Sequence, residues 1–288
     1  MEVISREYGV DGYRVDAPHG KEPNWDRTIP YHASHTSLGV IRLLERLQRG
    51  LKEINPQAVL LCELYGPIYV KSHDFCYDYL PHHMIHYLAI GKLSPWELGE
   101  WLGDHRACLP EGAVRVCFTE THDTRDTTAL AMALRGSLVH QAEAALLVLA
   151  GFVPMVWSGE EDGLEEFYAW LLQVRSTNPA LMQGDCVYNA VSCNDPQVFN
   201  LIRCSEEQTI VGLINFSPHK KTFTLGLPIS VLGIGPRDSY ELVELLAGVE
   251  WDEDGRRFWM GSDLQDFVLT LEPYRPYFFE LRRDRERR

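Results

Sequence analysis

Apolar and polar positions along this chain follow two different periods, and the change falls near residue 180. Before it, short apolar runs are followed by stretches whose apolar residues recur every three or four positions, the mark of strands alternating with amphipathic helices. Gly9–Asp16 reads as a strand ending in polar residues. A helix is predicted over Ser37–Asn55, with Leu38, Ile41, Leu44, Leu47, Leu51 and Ile54 on one stripe and Pro56 beyond its end. Ala58–Glu63 is a continuous apolar run of the buried-strand type. His73–Tyr79 and a helix near Pro81–Ile90 come next, then Val114–Glu120 and a helix over Leu138–Leu149. Phe152–Trp157 and an amphipathic helix over Leu164–Ser176 complete five candidate βα units.

After residue 180 only short β-rich runs separated by turn signals occur. The predicted strands are Cys186–Ala190, Val198–Arg203, Thr209–Asn215, Thr222–Leu227, Tyr240–Leu245, Arg257–Met260, Phe267–Leu271 and Tyr277–Leu281. Turns such as Asn194–Asp195–Pro196 between them predict an antiparallel Greek-key sandwich over 181–288. The first region, 1–180, is α/β. Five strands are too few to close a (β/α)8 barrel, and an open doubly wound sheet is an alternative. Polar residues nevertheless fall at the C-terminal ends of several different strands, namely Asp16, Glu63, Asp123 and Ser158, which favours a barrel-type site.

Composition narrows the function classes. Hydrophobic residues are 45% and charged residues 24% of the 288, ordinary globular values that exclude disorder, collagen repeats and coiled coil as the main architecture. The net charge of −14 argues against nucleic-acid binding, which draws on Lys and Arg. No apolar run reaches the ~18 residues that span a bilayer, so no membrane partner is expected. Aromatic residues, 11%, suit a sugar-stacking surface and a large core equally. The cysteines number seven, with no CxxC pair, which reads as free thiols in a reducing compartment and favours the cytoplasm. Arg282–Arg288 reads as a solvated, frayed end.

Three acids stand out by position. Asp16 ends GVDGYRVD, Glu63 ends AVLLCE, and Asp123 comes after the strand VRVCFTE. Arg14, two residues before Asp16, shares its strand face, and a guanidinium there keeps the carboxylate ionised and oriented. His122 adjoins Asp123. Glu63 comes directly after Leu60, Leu61 and Cys62 without an evident cationic neighbour, and an apolar setting would keep it protonated as a general acid. One ionised carboxylate and one protonated carboxyl are the tools of glycoside hydrolysis. Any one of the three taken alone reads first as a solvated loop acid; three at successive strand ends are less easily read so.

Taken together, the segments resemble glycoside hydrolase family 13, the α-amylase superfamily. GVDGYRVDAPHG resembles the nucleophile strand, LLCELYG the acid/base segment, and FTETHDTRD the segment whose His-Asp pair binds the sugar at the cleavage point. PMVWSGEE is similar to the end of the last barrel strand. The helix after it with NPAL, and then the β-rich tail, resemble the family's last barrel helix and C-terminal sandwich. The resemblance implies Asp16 as nucleophile, Glu63 as acid/base and Asp123 as the carboxylate stabilising the transition state. It implies that Arg14 holds Asp16 and that His122 contacts sugar hydroxyls. The reaction implied is a retaining double displacement on α-linked glucans or maltooligosaccharides, α-1,4 favoured, with no cofactor.

Departures qualify this. Thr121 stands where the family often has Asn. Ala17-Pro18-His19-Gly20-Lys21 replaces the usual Ala-x-Lys-His; His19 and Lys21 are the candidates there for holding leaving-group sugars, and the stretch is somewhat like that of maltosyltransferase relatives. A glucosyl- or maltosyltransferase therefore stands as an alternative to a hydrolase. The family's barrel has three βα units before the nucleophile strand, which carry an Asp…Asn-His segment and often a calcium site. Here eight residues precede Gly9, so the resemblance implies strands four to eight of the barrel, a fragment of a longer enzyme, with any calcium site in the missing part. An inactive sugar-binding fragment is the rival from another class. The absence of a signal-peptide pattern then carries no weight.

Other features are weaker. Trp25, Tyr65, Tyr77 and Trp157 lie near strand ends and suit either stacking on sugar rings or ordinary packing. His82, His83 and His86 place two histidines one helical turn apart, but without the Glu of HExxH they read as helix-surface residues. Ser158 lacks the GxSxG elbow of a serine nucleophile.

Overall fold

The computed structural model describes residues 7–18, 35–63, 66–124 and 136–284. They fall into two compact units. The first holds the described residues up to Pro81 with His105–Cys117; the second holds His82–Asp104 and the described residues from Phe118 onward.

Parallel strands come first. In the first unit β1 (Gly12–Val15), β2 (Val59–Cys62), β3 (Phe75–Tyr77) and β4 (Val114–Cys117) pair in parallel in that order, and the second unit carries the short strand β5 (Val153–Pro154). α1 (His35–Ile54) buries Val40, Leu44 and Leu51, and the first two pack with Leu60 and Cys62 of β2 while Tyr13 and Val15 of β1 flank the cluster. Each leucine so buried contributes about 1.5–3 kcal/mol. Asp74 clamps this layer: it accepts from the Leu60 N–H (2.8 Å) and Gln48 Nε2 (3.1 Å) and pairs with Lys52 (3.0 Å). The strand expected over Val114–Glu120 stops at Cys117, and the chain beyond it turns at Thr121–Thr124, where the Thr124 N–H donates to the Thr121 carbonyl (3.2 Å). The one expected over Phe152–Trp157 keeps two residues, since Pro154 has no N–H to offer a ladder.

α2 (Leu80–Ala89), α4 (Ser137–Leu149) and α5 (Glu165–Thr177) lie close to their expected positions. On α2, His82 is buried against Phe118 with ring centroids 5.2 Å apart, which corrects the helix-surface reading for that histidine. α3 (Pro95–Ala107) and the short α6 (Pro179–Gln183) are additions.

The β-rich region forms two antiparallel sheets. β6 (Asp185–Tyr188), β8 (Val198–Cys204), β9 (Thr209–Asn215), β15 (Pro276–Arg283), β11 (Ser239–Glu244) and β12 (Val249–Glu250) make one, with β13 (Phe258–Met260) also on β11. β7 (Ser192–Cys193), β10 (Lys221–Gly226) and β14 (Phe267–Leu271) make the other. Ile202, Phe223, Trp259, Leu269, Tyr277 and Phe279 belong to the shared core, in which Tyr277 stacks on Phe279 at 5.5 Å. β8 and β9 are buried nearly end to end, because strand alternation gives Val198, Ile202, Val211 and Leu213 to that core and turns Arg203 and Gly212 toward the helices. Gly212 has no Cβ because Leu149 of α4 occupies its place. The Arg203 guanidinium donates to the carbonyl oxygens of Leu149, Ala180, Leu181 and Gly184 at 3.0–3.1 Å.

Candidate functional site

β1 and β2 are adjacent and parallel, with Val15 opposite Cys62, so Asp16 and Glu63 leave the same sheet edge side by side. The Glu63 N–H donates to the Val15 carbonyl (3.0 Å) and fixes that level. Arg14 joins both acids: one terminal nitrogen bonds Asp16 Oδ1 at 2.6 Å and the other lies 2.9 Å from Glu63 Oε2. Its guanidinium rests 5.6 Å from the ring centre of Tyr77. Burial alone would lower the Arg14 pKa, but the hydrogen bond to Asp16 and the negative charges of Glu63 and Asp16 outweigh it and raise it.

Glu63 thus has a cationic neighbour, which corrects the expectation of an apolar pocket without one. The cation comes from the neighbouring strand, 49 positions away in sequence but one strand away in space. Glu63 also accepts from the Ala17 N–H (2.8 Å) and the Tyr79 hydroxyl (2.6 Å). Asp16 is 76% exposed and Glu63 13%, so one carboxylate is presented to solvent and the other is held. Ala17 makes its bond with φ +33°, a left-handed conformation that costs an L-residue about 1–2 kcal/mol; strain of this kind persists where the surroundings impose it.

Tyr79 and the Ala17 amide were not foreseen from the sequence. FCYDY offered a signal, since Tyr77 and Tyr79 share one strand face, and their rings meet edge-on at 4.8 Å. Tyr77 itself is buried at 1% exposure, so its ring supports Arg14 and the packing reading holds for it over a sugar contact.

His122 and Asp123 belong to the second unit. The turn that carries them is closed by Thr124 Oγ1, which accepts from the Thr121 N–H (2.7 Å), and by Thr121 Oγ1, which accepts from the Asp123 N–H (3.2 Å). His122 Nε2 lies 3.4 Å from Asp123 Oδ1, and both side chains are half-exposed. The Trp157 ring stands 5.7 Å from the His122 ring, tilted by 41°. An acid, an imidazole and an indole grouped this way offer hydrogen bonds and a flat face, the two needs of sugar recognition.

The other sequence candidates, His19, Lys21, Trp25 and Tyr65, lie outside the described residues. Among the described residues no group of three His, Cys, Asp or Glu side chains is placed to hold a metal ion, and no helix is long and apolar enough to cross a membrane. None of the seven cysteines forms a disulfide; Cys62, Cys76 and Cys117 are buried and Cys108 is exposed.

No protein-family model matches the sequence, and no curated protein sequence matches it. Solved structures do match. A maltogenic α-amylase from Thermotoga neapolitana superposes with a TM-score of 0.69 at 15% identity, over 97% of this chain and 63% of its own. An α-amylase from Geobacillus thermoleovorans, complexed with acarbose, gives 0.69 at 15% identity over 98% and 62%. A debranching enzyme from Nostoc punctiforme, soaked with acarbose, gives 0.67 at 16% identity over 96% and 59%. The chain has the fold of these enzymes. It corresponds to a partial α-amylase barrel with a β-rich domain after it, and spans about 60% of their length.

Proposed function

We propose that this chain is the C-terminal portion of a retaining glycoside hydrolase of the α-amylase family acting on α-linked glucans. Residues 1–180 would supply the catalytic barrel portion and 181–288 an appended β-domain. The observation that carries the reading is the pair of carboxylates, Asp16 and Glu63, at the ends of adjacent parallel strands and gripped by one guanidinium. Retaining enzymes keep their two carboxyl groups ~5 Å apart, whereas inverting enzymes need ~6.5–9.5 Å to admit a water. A shared arginine fork supports the closer arrangement.

In this mechanism Asp16, exposed and oriented by Arg14, attacks the anomeric carbon. Glu63 gives its proton to the leaving oxygen, then takes one from the water that releases the glycosyl-enzyme. The resemblance assigns to Asp123 the stabilisation of positive charge developing on the sugar, and to His122 a contact with sugar hydroxyls. The acarbose complex of the Geobacillus α-amylase supports an oligosaccharide ligand.

A fluorinated α-glucosyl fluoride, which slows the second displacement, tests this in the full-length protein that contains the chain. Digestion and mass spectrometry are expected to find one sugar esterified to Asp16, with none in Asp16→Asn, which also loses turnover. An adduct on another residue, or full activity of Asp16→Asn, would overturn the assignment. Maltooligosaccharide binding by calorimetry without turnover or adduct would replace it with a sugar-binding role.

A further inference from the structure

Glu160 is a buried carboxyl that the proposed chemistry does not use. Its side chain is 2% exposed. Oε1 accepts from Thr119 Oγ1 and from the Tyr168 hydroxyl (2.8 Å), and lies 3.4 Å from His140 Nε2. Oε2 accepts from the backbone N–H of Trp157 at 2.8 Å. His140 Nε2 and the Tyr168 hydroxyl are in turn 2.8 Å apart. Four segments therefore meet on one carboxyl: the residues after β4, helix α4, helix α5 and the turn after β5.

Two of those segments carry the candidate sugar-binding rings. Thr119 lies three residues before His122, on the segment that leads into the Thr121–Thr124 turn. Trp157 is bonded through its own amide. We propose that Glu160 is a positioning residue whose carboxyl fixes His122 and Trp157 against each other and rearranges their contact when it gains or loses its proton. The part of this that concerns sugar rests on the glycosidase reading above; the coupling of the two rings does not.

The chemistry of the partners makes the coupling proton-dependent. The Trp157 amide can only donate, so Oε2 must remain an acceptor in either state. The Thr119 and Tyr168 hydroxyls can donate or accept, and a neutral His140 can do either. An ionised Glu160 takes hydrogen bonds from the Trp157 amide and the Thr119 and Tyr168 hydroxyls, with His140 bonded to Tyr168 behind them. A protonated one must donate from Oε1, so a hydroxyl or the imidazole on that side has to reverse. The facing titratable groups are Glu120 beside Thr119, His140 on α4, Tyr168 on α5, and Glu161 on the same turn. Burial is the main cause that pushes the Glu160 pKa up to about 7, the charges of Glu120 and Glu161 add to it, and the bonds from Trp157 and Tyr168 hold it back.

The test is the tryptophan fluorescence of the full chain between pH 5 and 9, read as the difference between the protein and its Trp157→Phe variant. The expected signal is a single transition with a midpoint near pH 7, absent in Glu160→Gln. Tyr168→Phe removes one donor to the ionised form, so its midpoint is expected to rise by roughly one unit, and this variant serves if Glu160→Gln does not fold. His122→Gln separates the sources: a transition that survives it belongs to Glu160. A transition lost in His122→Gln but kept in Glu160→Gln would overturn the proposal, as would no transition at all. In a maltooligosaccharide assay KM is expected to change across the same interval in the wild type and not in Glu160→Gln. A fluorescence transition in a full-length protein that turns over no maltooligosaccharide would support the coupling and overturn the glycosidase reading, so the two fail separately.

Discussion

Arg14 shows how much one side chain can organise. As an arginine it offers two terminal nitrogens in a planar fork, and here each takes a different carboxylate, which a lysine cannot do in the same geometry. Cysteine chemistry is also decided residue by residue. Burial pushes the Cys62 thiol up to about 12, with the nearby Cys76 and Asp74 adding to it, and burial pushes Cys76 up to about 11. Thiolate is the reactive form, so both are inert in the native protein. Cys108 is exposed. Brief iodoacetamide treatment of the folded chain is therefore expected to label Cys108 first, and mass mapping that instead found Cys62 or Cys76 modified at the same rate would contradict the burial described.

At the scale of elements, Arg203 is the fastening between the β8 strand and the α4 and α6 helix ends. Its guanidinium takes up carbonyls at and just past the two helix ends, where intrahelical donors run out. Gly151, at φ +84°, leaves room for it: a Cβ there would stand 2.7 Å from an Arg203 terminal nitrogen. Arg203→Leu strands several buried acceptors at once and is expected to cost roughly 3–5 kcal/mol in urea unfolding. A loss under about 1 kcal/mol would show that water replaces the guanidinium at no great penalty. α3 carries a parallel lesson in sequence. Ser94 and Glu97 exchange hydrogen bonds at its start as a capping box, with Pro95 at the first helical position. That S-P-W-E signal was legible; the weak amphipathic pattern behind it hid the helix.

For the whole molecule, Glu160 makes stability fall with rising pH. Its folded pKa, about 7, exceeds the value of 4.5 for a free glutamate, so the native state holds more protons between those limits. The stabilisation is complete below pH 4.5 and is lost as pH rises through 7. A shift of that size corresponds to roughly 3 kcal/mol. The net charge of −14 acts in the same direction through self-repulsion. Urea unfolding at pH 5 and pH 8 is expected to show a larger drop for the wild type than for Glu160→Gln; equal drops would mean that the carboxyl is ionised throughout.

The sequence by itself determined the order of elements and the position of the acids along them, because both arise from local periodicity. Alternation of apolar runs and helical stripes located β1, β2, α1 and α4 within a few residues, and the regular short strands announced the β-rich region. Asp16 and Glu63 could be placed at strand ends for the same reason. Only tertiary structure decided what those acids touch. The bonds from Arg14 and Tyr79 to Glu63 cross between strands, and the four segments that meet on Glu160 are as far apart in sequence as Thr119 and Tyr168. No local pattern encodes such contacts. They arise when parallel strands and their helices stack, and they set which carboxyl is exposed, which is held and which is buried.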